Sequence, residues 1–198
     1  MKIYHIAALV IASVLSAPAF AHTGLHIGSG FSSGIAHPFL GLDHLLAMVM
    51  VGLWAAQQKG VLRRAVPPVV FVLFMAIGGV LGQSGMGFVL PNVETGIAVS
   101  VLGLGLLTAF AVRLPMMATL PLISVFALFH GYAHGAEMPA VALSTLAFPA
   151  YLAGFVLATA LLHAAGFFAA SRLLNSQGYV VRSAGLLAAL AGGNLLLG

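Results

Sequence analysis

Long apolar runs alternate with short polar connections along most of the chain. Beyond residue 36, the apolar runs cover approximately residues 38–57, 66–82, 93–112, 114–134, 143–170 and 184–197. Most of them approach the roughly 20 residues that an α-helix needs to cross the hydrocarbon core of a bilayer. The pattern therefore predicts an all-α integral membrane protein with six transmembrane helices.

The first 21 residues have the layout of a cleavable secretory signal peptide. Lys2 supplies the positive charge, residues 6–15 form a short apolar segment, and Ala19-Phe20-Ala21 has the small-x-small form of a cleavage site. The alternative is a signal anchor that stays attached, but ten apolar residues are short for a span. Cleavage would make His22 the mature N-terminus and leave residues 22–198 as one six-span transmembrane domain.

The composition supports a membrane environment and excludes several other classes. The chain is 62% hydrophobic and 5% charged, whereas soluble domains contain about 25% charged residues. Although the formal net charge is +4, seven scattered basic residues are too few for a nucleic-acid surface. The absence of cysteine excludes disulfides and thiolate metal sites. The lipid bilayer is thus the expected partner, and nucleic acid is not.

The basic residues indicate how the spans are oriented. After signal removal they are Lys59, Arg63, Arg64, Arg113, Arg172 and Arg182. All six fall in connections on one side of a six-span chain, and basic residues concentrate on the cytoplasmic side of membrane proteins. We therefore predict a multi-pass protein of the bacterial inner membrane, with both mature termini in the periplasm.

Three separate segments place ionisable side chains at the opposite, outer face of the predicted bundle. They are His37, Asp43 and His44 at the start of span one, Glu94 at the start of span three, and His130, His134 and Glu137 at the end of span four. Ionisable groups inside a membrane are costly and are functional candidates by default. Their convergence on one face indicates a shared site.

The spacing of these residues suggests metal coordination. His130 and His134 are four residues apart and share one helix face, where two imidazoles can bind one cation, and Glu137 follows on that face. His37 and His44 would lie roughly 10 Å apart along a continuous helix, too far to bind the same ion. We expect His37 to lie at the mouth of the site and His44 to be an inner ligand.

Five further assignments have two interpretations each. Asp43 either binds the metal or orients an imidazole, and Glu94 either binds it or stabilises its own helix N-terminus. His163 is either a structural core residue or part of the ion path. His22 and His26 either capture metal in the periplasm or belong to a tail without a role.

The available ligand atoms narrow the class of metal. Imidazole and carboxylate without thiolate suit Ni(II), Co(II) or Zn(II) better than Cu(I) or Mg(II). Neither lysine lies in a G-x-x-x-x-G-K-[ST] pattern, so we expect no ATP hydrolysis. No prosthetic group is expected, and the metal would be the transported ion.

Two motifs then identify a family resemblance. His37, Asp43 and His44 form H-x-x-x-x-x-D-H within HPFLGLDH, and His130, His134 and Glu137 lie within FHGYAHGAE. With the segment PNVETGIAVSVL around Glu94, the chain resembles the HupE/UreJ family of nickel permeases along nearly its whole length. The resemblance implies a six-span nickel permease that accompanies hydrogenase or urease systems, with cobalt as an alternative substrate.

The resulting expectation is a permease that moves Ni(II) from periplasm to cytoplasm and is not an enzyme. A periplasmic metal donor or a second copy of the chain are candidate partners. Two other classes stay open. One is an intramembrane zinc hydrolase, although the chain lacks an H-E-x-x-H helix. The other is a metal-binding accessory protein that does not transport.

Overall fold

Helices form every element of the described chain. The computed structural model describes residues 30–83, 87–137, 147–175 and 177–198. The helices are α1 (Phe31–Ala36), a 3-10 turn (His37–Phe39), α2 (Leu42–Gln57), α3 (Val61–Gly82), α4 (Val93–Ala109), α5 (Met116–Ala136), α6 (Ala147–Leu173) and α7 (Gly178–Leu197). The predicted signal peptide and the candidate residues His22 and His26 lie outside these ranges.

The helices agree with a membrane protein. Four of them, α3, α5, α6 and α7, are long and apolar enough to cross a bilayer. The residues from Phe31 to Gln57 pass the same test only when the segments on either side of a bend of 85° are taken together. Helix α4 is apolar but has 17 residues, the short end of the range for a span. The all-α membrane class is confirmed, with four or five candidate spans by length and composition.

The helix ends differ from the predicted spans at several points. Helix α3 begins at Val61, ahead of the predicted start near residue 66, and contains Pro67 and Pro68. Two prolines are tolerated there because the preceding residues are exposed, so carbonyls that lose an N–H partner are accessible to solvent. Helix α7 likewise begins at Gly178 rather than near 184. The start predicted for span five, near residue 143, lies outside the described ranges.

Helix α2 lies at the centre of the molecule. Twelve of its 16 residues are buried, and Met48, Val51 and Trp54 have no exposed surface. A helix that is apolar on all sides is stable only when other helices surround it. The residues at the start of α2, which include Asp43 and His44, are thereby held in the interior.

Four helix pairs pack with their backbones in close approach. They are α3 with α5, α4 with α7, α2 with α6, and α1 with α6. At each interface, glycines face the backbone of the other helix. They are Gly78, Gly82, Gly131 and Gly135 between α3 and α5, Gly105, Gly185 and Gly192 between α4 and α7, Gly52 and Gly166 between α2 and α6, and Gly34 and Gly154 between α1 and α6. This is the small-residue packing expected of membrane helices. Gly193 is different, since an added Cβ would meet nothing within 4 Å.

Arginine side chains cover helix carboxyl ends at the end of α2 remote from His44. Arg113 donates to the carbonyl of Gln57, and Arg182 donates to the carbonyl of Ala109. Arg64 similarly donates to the Gln58 carbonyl. These cations compensate the partial negative charge of helix C-termini. Arg64, Arg113 and Arg182 thus lie together at one end of the bundle, opposite Asp43 and His44.

Candidate metal site

The predicted first span is broken at Gly41, which corrects the expectation of a continuous helix from Pro38. The chain bends by 85° between the 3-10 turn and α2, and Gly41 has extended backbone angles. Pro38 lies in the short 3-10 turn rather than in the first turn of a long helix. The predicted separation of roughly 10 Å between His37 and His44 applied only to an intact helix, so it does not hold.

The bend brings both histidines of the first motif against the second motif. The imidazole centroid of His134 lies 4.5 Å from that of His37 and 4.2 Å from that of His44. His134 is buried in α5, and its ring also contacts Phe155 at 4.0 Å. His134 therefore links the mouth of the site to its interior.

His37, His134 and Glu137 form a group that we call the outer cluster. One potential ligand atom from each lies within 4.8 Å of the others, a separation compatible with a shared metal ion. Nε2 of His37 is 3.5 Å from Oε2 of Glu137, and both side chains are about 30% exposed, at 27% and 31%. The outer cluster is thus accessible from one surface of the protein.

Asp43 contacts its neighbour His44. Oδ1 of Asp43 accepts hydrogen bonds from the backbone N–H of His44 at 2.7 Å and from Nδ1 of its ring at 2.9 Å. An ionised carboxylate only accepts, so the facing ring nitrogen carries the hydrogen. Asp43 therefore orients His44, the second of its two predicted roles, and leaves Nε2 with a free electron pair.

Ser100 has the same relation to His130, and the sequence analysis did not find it. Oγ of Ser100 donates its single hydrogen to the carbonyl of Ile97 at 2.7 Å, and Nε2 of His130 lies 2.6 Å from that oxygen. The hydroxyl must then accept a hydrogen bond from Nε2–H. This fixes the tautomer in which Nδ1 of His130 has the electron pair.

His44 and His130, which we call the inner pair, place two potential metal-ligand nitrogens in the buried interior. Their ring centroids are 4.7 Å apart with perpendicular planes, and the side chains are 4% and 0% exposed. Nε2 of His44 and Nδ1 of His130 are buried and have no hydrogen-bond partner among the residues that the structure describes. Each such atom costs about 1–3 kcal/mol when it stays unsatisfied. A metal ion would satisfy both.

Two other predicted residues take different places. His163 is buried, and Phe71 separates it from the inner pair, with ring centroids 5.2 Å from His163 and 5.8 Å from His130. Within the described ranges, neither ring nitrogen of His163 has a hydrogen-bond partner. Glu94 lies in the first turn of α4 and is exposed. In the described part of the chain, the carboxylate of the outer cluster comes from Glu137 and not from Glu94.

No pattern in the sequence distinguished Ser100. A serine in an apolar helix usually bonds to a carbonyl of its own helix, and Ser100 does so as well. Its second contact, to His130, joins α4 to α5 and is visible only in three dimensions. The sequence did not single out Phe71 either, since an aromatic residue in an apolar span is most often part of the core.

Comparison with known proteins decides the family. The sequence profile described as HupE / UreJ protein matches residues 9–195. The chain belongs to the HupE/UreJ family. A relative named "Protein HupE" from Rhizobium leguminosarum bv. viciae is 46% identical over 199 residues, with 100% of each chain covered. No solved structure matches the chain.

Family membership confirms the resemblance that the two motifs indicated. It suggests an accessory or transport role related to nickel or cobalt. It also agrees with the apolar helices, which imply a lipid bilayer around the protein.

Proposed function

We propose that the chain is a permease of the bacterial inner membrane that moves Ni(II), and also Co(II), from periplasm to cytoplasm. The observation that carries this proposal is the inner pair. Two imidazoles from different helices present bare nitrogen atoms in the interior, and Asp43 and Ser100 fix the tautomers that leave those atoms bare. Imidazole and carboxylate ligands of this kind suit borderline divalent ions.

The arrangement provides successive positions for an ion that enters from the outer end. Glu137 and His37 are half-buried and would exchange hydration water for protein ligands first. His134 contacts both His37 and His44, so it would belong to both positions. The ion would then lie between His44 and His130. Conduction requires sites that bind and also release the ion, and ligands shared between neighbouring positions serve that requirement.

The remaining parts of the proposal concern topology and the N-terminus. We propose six spans, with α4 as the shortest and the bent segment from Phe31 to Gln57 as the first. The arginine-covered end would be cytoplasmic, which places the outer cluster and both mature termini in the periplasm. A cleaved signal peptide would expose His22, which with His26 would capture metal before it reaches the outer cluster.

The direct test is metal uptake by liposomes that contain the purified protein. Ni(II) and Co(II) should accumulate, Mg(II) and Cu(I) should not, and empty liposomes and the His130→Ala variant should give background rates. Binding of Ni(II) without uptake would instead make the protein an accessory metal carrier. Hydrolysis of an ester or amide substrate would indicate the enzyme alternative, for which the sequence has no H-E-x-x-H helix.

A further inference from the structure

Two methionines and a threonine meet in the interior next to the inner pair. Met48, Met75 and Thr159 come from α2, α3 and α6, and each is 0% exposed. Oγ1 of Thr159 lies 3.3 Å from the sulfur of Met48 and 3.5 Å from the sulfur of Met75. Two thioethers and one hydroxyl therefore converge on one point between three helices.

The orientation of the Thr159 hydroxyl is unusual for a helix. Thr108 and Thr119 donate to the carbonyls four residues earlier, those of Leu104 and Pro115, which is the common arrangement for threonine in a helix. Thr159 instead directs its hydroxyl to sulfur, a weak acceptor. The electron pairs of the Thr159 hydroxyl oxygen therefore remain available as acceptors in the interior of the bundle.

The position of these residues continues the line of histidines. Along α6, Phe155 contacts His134, Thr159 follows one turn later, and His163 follows after one more turn. Along α2, Met48 lies one turn beyond His44. One turn is about 5.4 Å. The thioethers and the hydroxyl thus lie between the inner pair and His163.

His163 supplies an independent indication of a ligand. The residue is 2% exposed, and in the described part of the chain neither Nδ1 nor Nε2 has a hydrogen-bond partner. Its ring contact is with Phe71, which offers no donor or acceptor. A buried imidazole normally has its polar atoms satisfied, and among the described residues none supplies a partner to His163.

We infer that Met48, Met75, Thr159 and His163 form a second metal-binding position, which we call the deep cluster, for a borderline divalent cation. This inference rests on the proposed transport function and extends it. The ligands are two thioether sulfurs, one hydroxyl and one imidazole, and none carries a formal charge. The ion would reach the deep cluster after it leaves the inner pair.

The ligand chemistry assigns a role in selectivity. Carboxylate and water oxygens bind Mg(II) and Mn(II) well, whereas thioethers bind softer ions. The outer cluster, which contains Glu137, discriminates poorly against hard cations that enter with Ni(II). The deep cluster would favour Ni(II) and Co(II) over Mn(II), and exclusion of Cu(I), which thioethers also bind, would depend on the carboxylate-containing outer cluster. Because the ligands of the deep cluster are neutral, it would also release the ion readily.

The alternative is that Met48 and Met75 only fill space, since methionine adapts to irregular cores. The double variant Met48→Leu/Met75→Leu separates the two roles, because leucine nearly preserves methionine's volume and removes the sulfur. Met50→Leu is the matched control. Met50 is also buried, but it is two residues from Met48 and faces about 200° away around α2.

The measurement is the initial rate of Ni(II) and of Mn(II) uptake in liposomes containing the full chain. In the double variant, the maximal Ni(II) rate and the preference for Ni(II) over Mn(II) should each fall about tenfold, the scale of a lost metal-site interaction. The half-saturating Ni(II) concentration should stay nearly constant, since the outer cluster and inner pair are intact. Met50→Leu should match the wild type in all three quantities.

The results that would contradict the transport function differ from those that would contradict the deep cluster alone. Wild-type liposomes that take up no Ni(II) would overturn both the transport function and the deep cluster. If the wild type transports Ni(II) and the double variant keeps its rate and its preference, the deep cluster is wrong and the transport function stands. Equal losses in Met50→Leu and the double variant would assign the methionines to packing. Thr159→Val, which keeps the shape of the side chain, gives the same test if the double variant is not recovered from membranes.

Discussion

Each imidazole of the inner pair depends on one neighbouring oxygen atom. Oδ1 of Asp43 accepts a hydrogen bond from Nδ1 of His44, and Oγ of Ser100 is hydrogen-bonded to Nε2 of His130. In each case the opposite ring nitrogen is left as the donor of an electron pair. Groups that orient metal ligands in this way typically contribute 10–100-fold to metal affinity. At the residue scale, the site therefore includes Ser100 as well as the histidines of the two motifs.

Removing the Ser100 hydroxyl should weaken the site without removing a ligand. In Ser100→Ala, the His130 ring loses the acceptor for its Nε2–H and is free to change tautomer. We expect the Ni(II) concentration for half-maximal uptake to rise about 10–100-fold, as for other groups that orient ligands. Uptake is measured in cells or liposomes across a range of Ni(II) concentrations.

Thr108→Ala is the matched control for this experiment. Thr108 is also a buried hydroxyl in α4, but it donates to the carbonyl of Leu104 and lies about two turns from Ser100. Its loss should leave the half-saturating concentration unchanged. Equal effects in the two variants would show that Ser100 acts through helix packing and not through His130.

Loss of an imidazole from the central histidines should be more severe. His44→Ala, His130→Ala and His134→Ala should each nearly abolish uptake at normal membrane abundance, because no cysteine is present to substitute. His163→Ala should be milder, since the inner pair remains. Combining His44→Ala with His130→Ala should add nothing, because residues that act as one unit are not additive. Near-normal uptake by His130→Ala at low Ni(II) would contradict the proposed site.

The sequence could place some of these residues relative to one another but not others, for physical reasons. His130 and His134 lie on α5 and Glu137 follows as its C-cap residue, so the fixed helical repeat makes their relative positions predictable. His37 and His44 lie on either side of a break in the helix. The bend at this break brings the His37 ring into contact with the His134 ring. Contacts between helices, such as that of Ser100 with His130, have no local signature and were not predicted.

At the scale of elements, the break at Gly41 makes the first motif effective. An added Cβ at Gly41 would lie 2.7 Å from Oδ1 of Asp43 and 3.2 Å from Nδ1 of His44. The first distance is shorter than real Cβ contacts allow. A side chain at this position would therefore displace the Asp43 carboxylate from its present place beside His44, and helix geometry and ligand orientation are linked at this residue.

Gly41→Ala should consequently impair transport through displacement of Asp43 and His44. We expect Ni(II) uptake to fall at least about tenfold, comparable to the loss of the orienting group itself, while the protein still reaches the membrane. Uptake and membrane abundance are measured in parallel. The control is Gly193→Ala in α7, where an added Cβ meets nothing within 4 Å. Normal uptake by Gly41→Ala would show that the motif tolerates a different bend.

At the scale of the whole molecule, charge separates the two ends of the bundle. The carboxylates Asp43 and Glu137 lie at the end where the motifs meet, and Arg64, Arg113 and Arg182 bond to helix carbonyls at the far end of α2 or beside it. A cation entering near Glu137 meets negative charge first. This separation also underlies the proposed orientation, since basic residues favour the cytoplasmic side.

The helical class was predictable because hydrophobic segment length alone limits how a chain can cross a bilayer. Helix ends were less predictable. Helices α3 and α7 extend several residues beyond the apolar runs, through Val61–Ala65 and Gly178–Ser183, because helical hydrogen bonding continues into partly exposed sequence. The short polar segments that were taken as loops are consequently first turns of helices.

The orientation can be tested with single cysteines, because the natural chain contains none. Val89 precedes α4 at the outer end, and Val61 begins α3 next to the arginines; they are 78% and 82% exposed. A membrane-impermeant maleimide applied to intact spheroplasts should label Val89→Cys and should label Val61→Cys only after lysis. Detergent-solubilised samples control for reactivity, since both cysteines should react there equally. Labelling of Val61→Cys in intact spheroplasts would contradict the proposed orientation. If both positions were labelled from outside, the helix from Val61 to Gly82 could not cross the membrane, because a single crossing places its two ends on opposite sides.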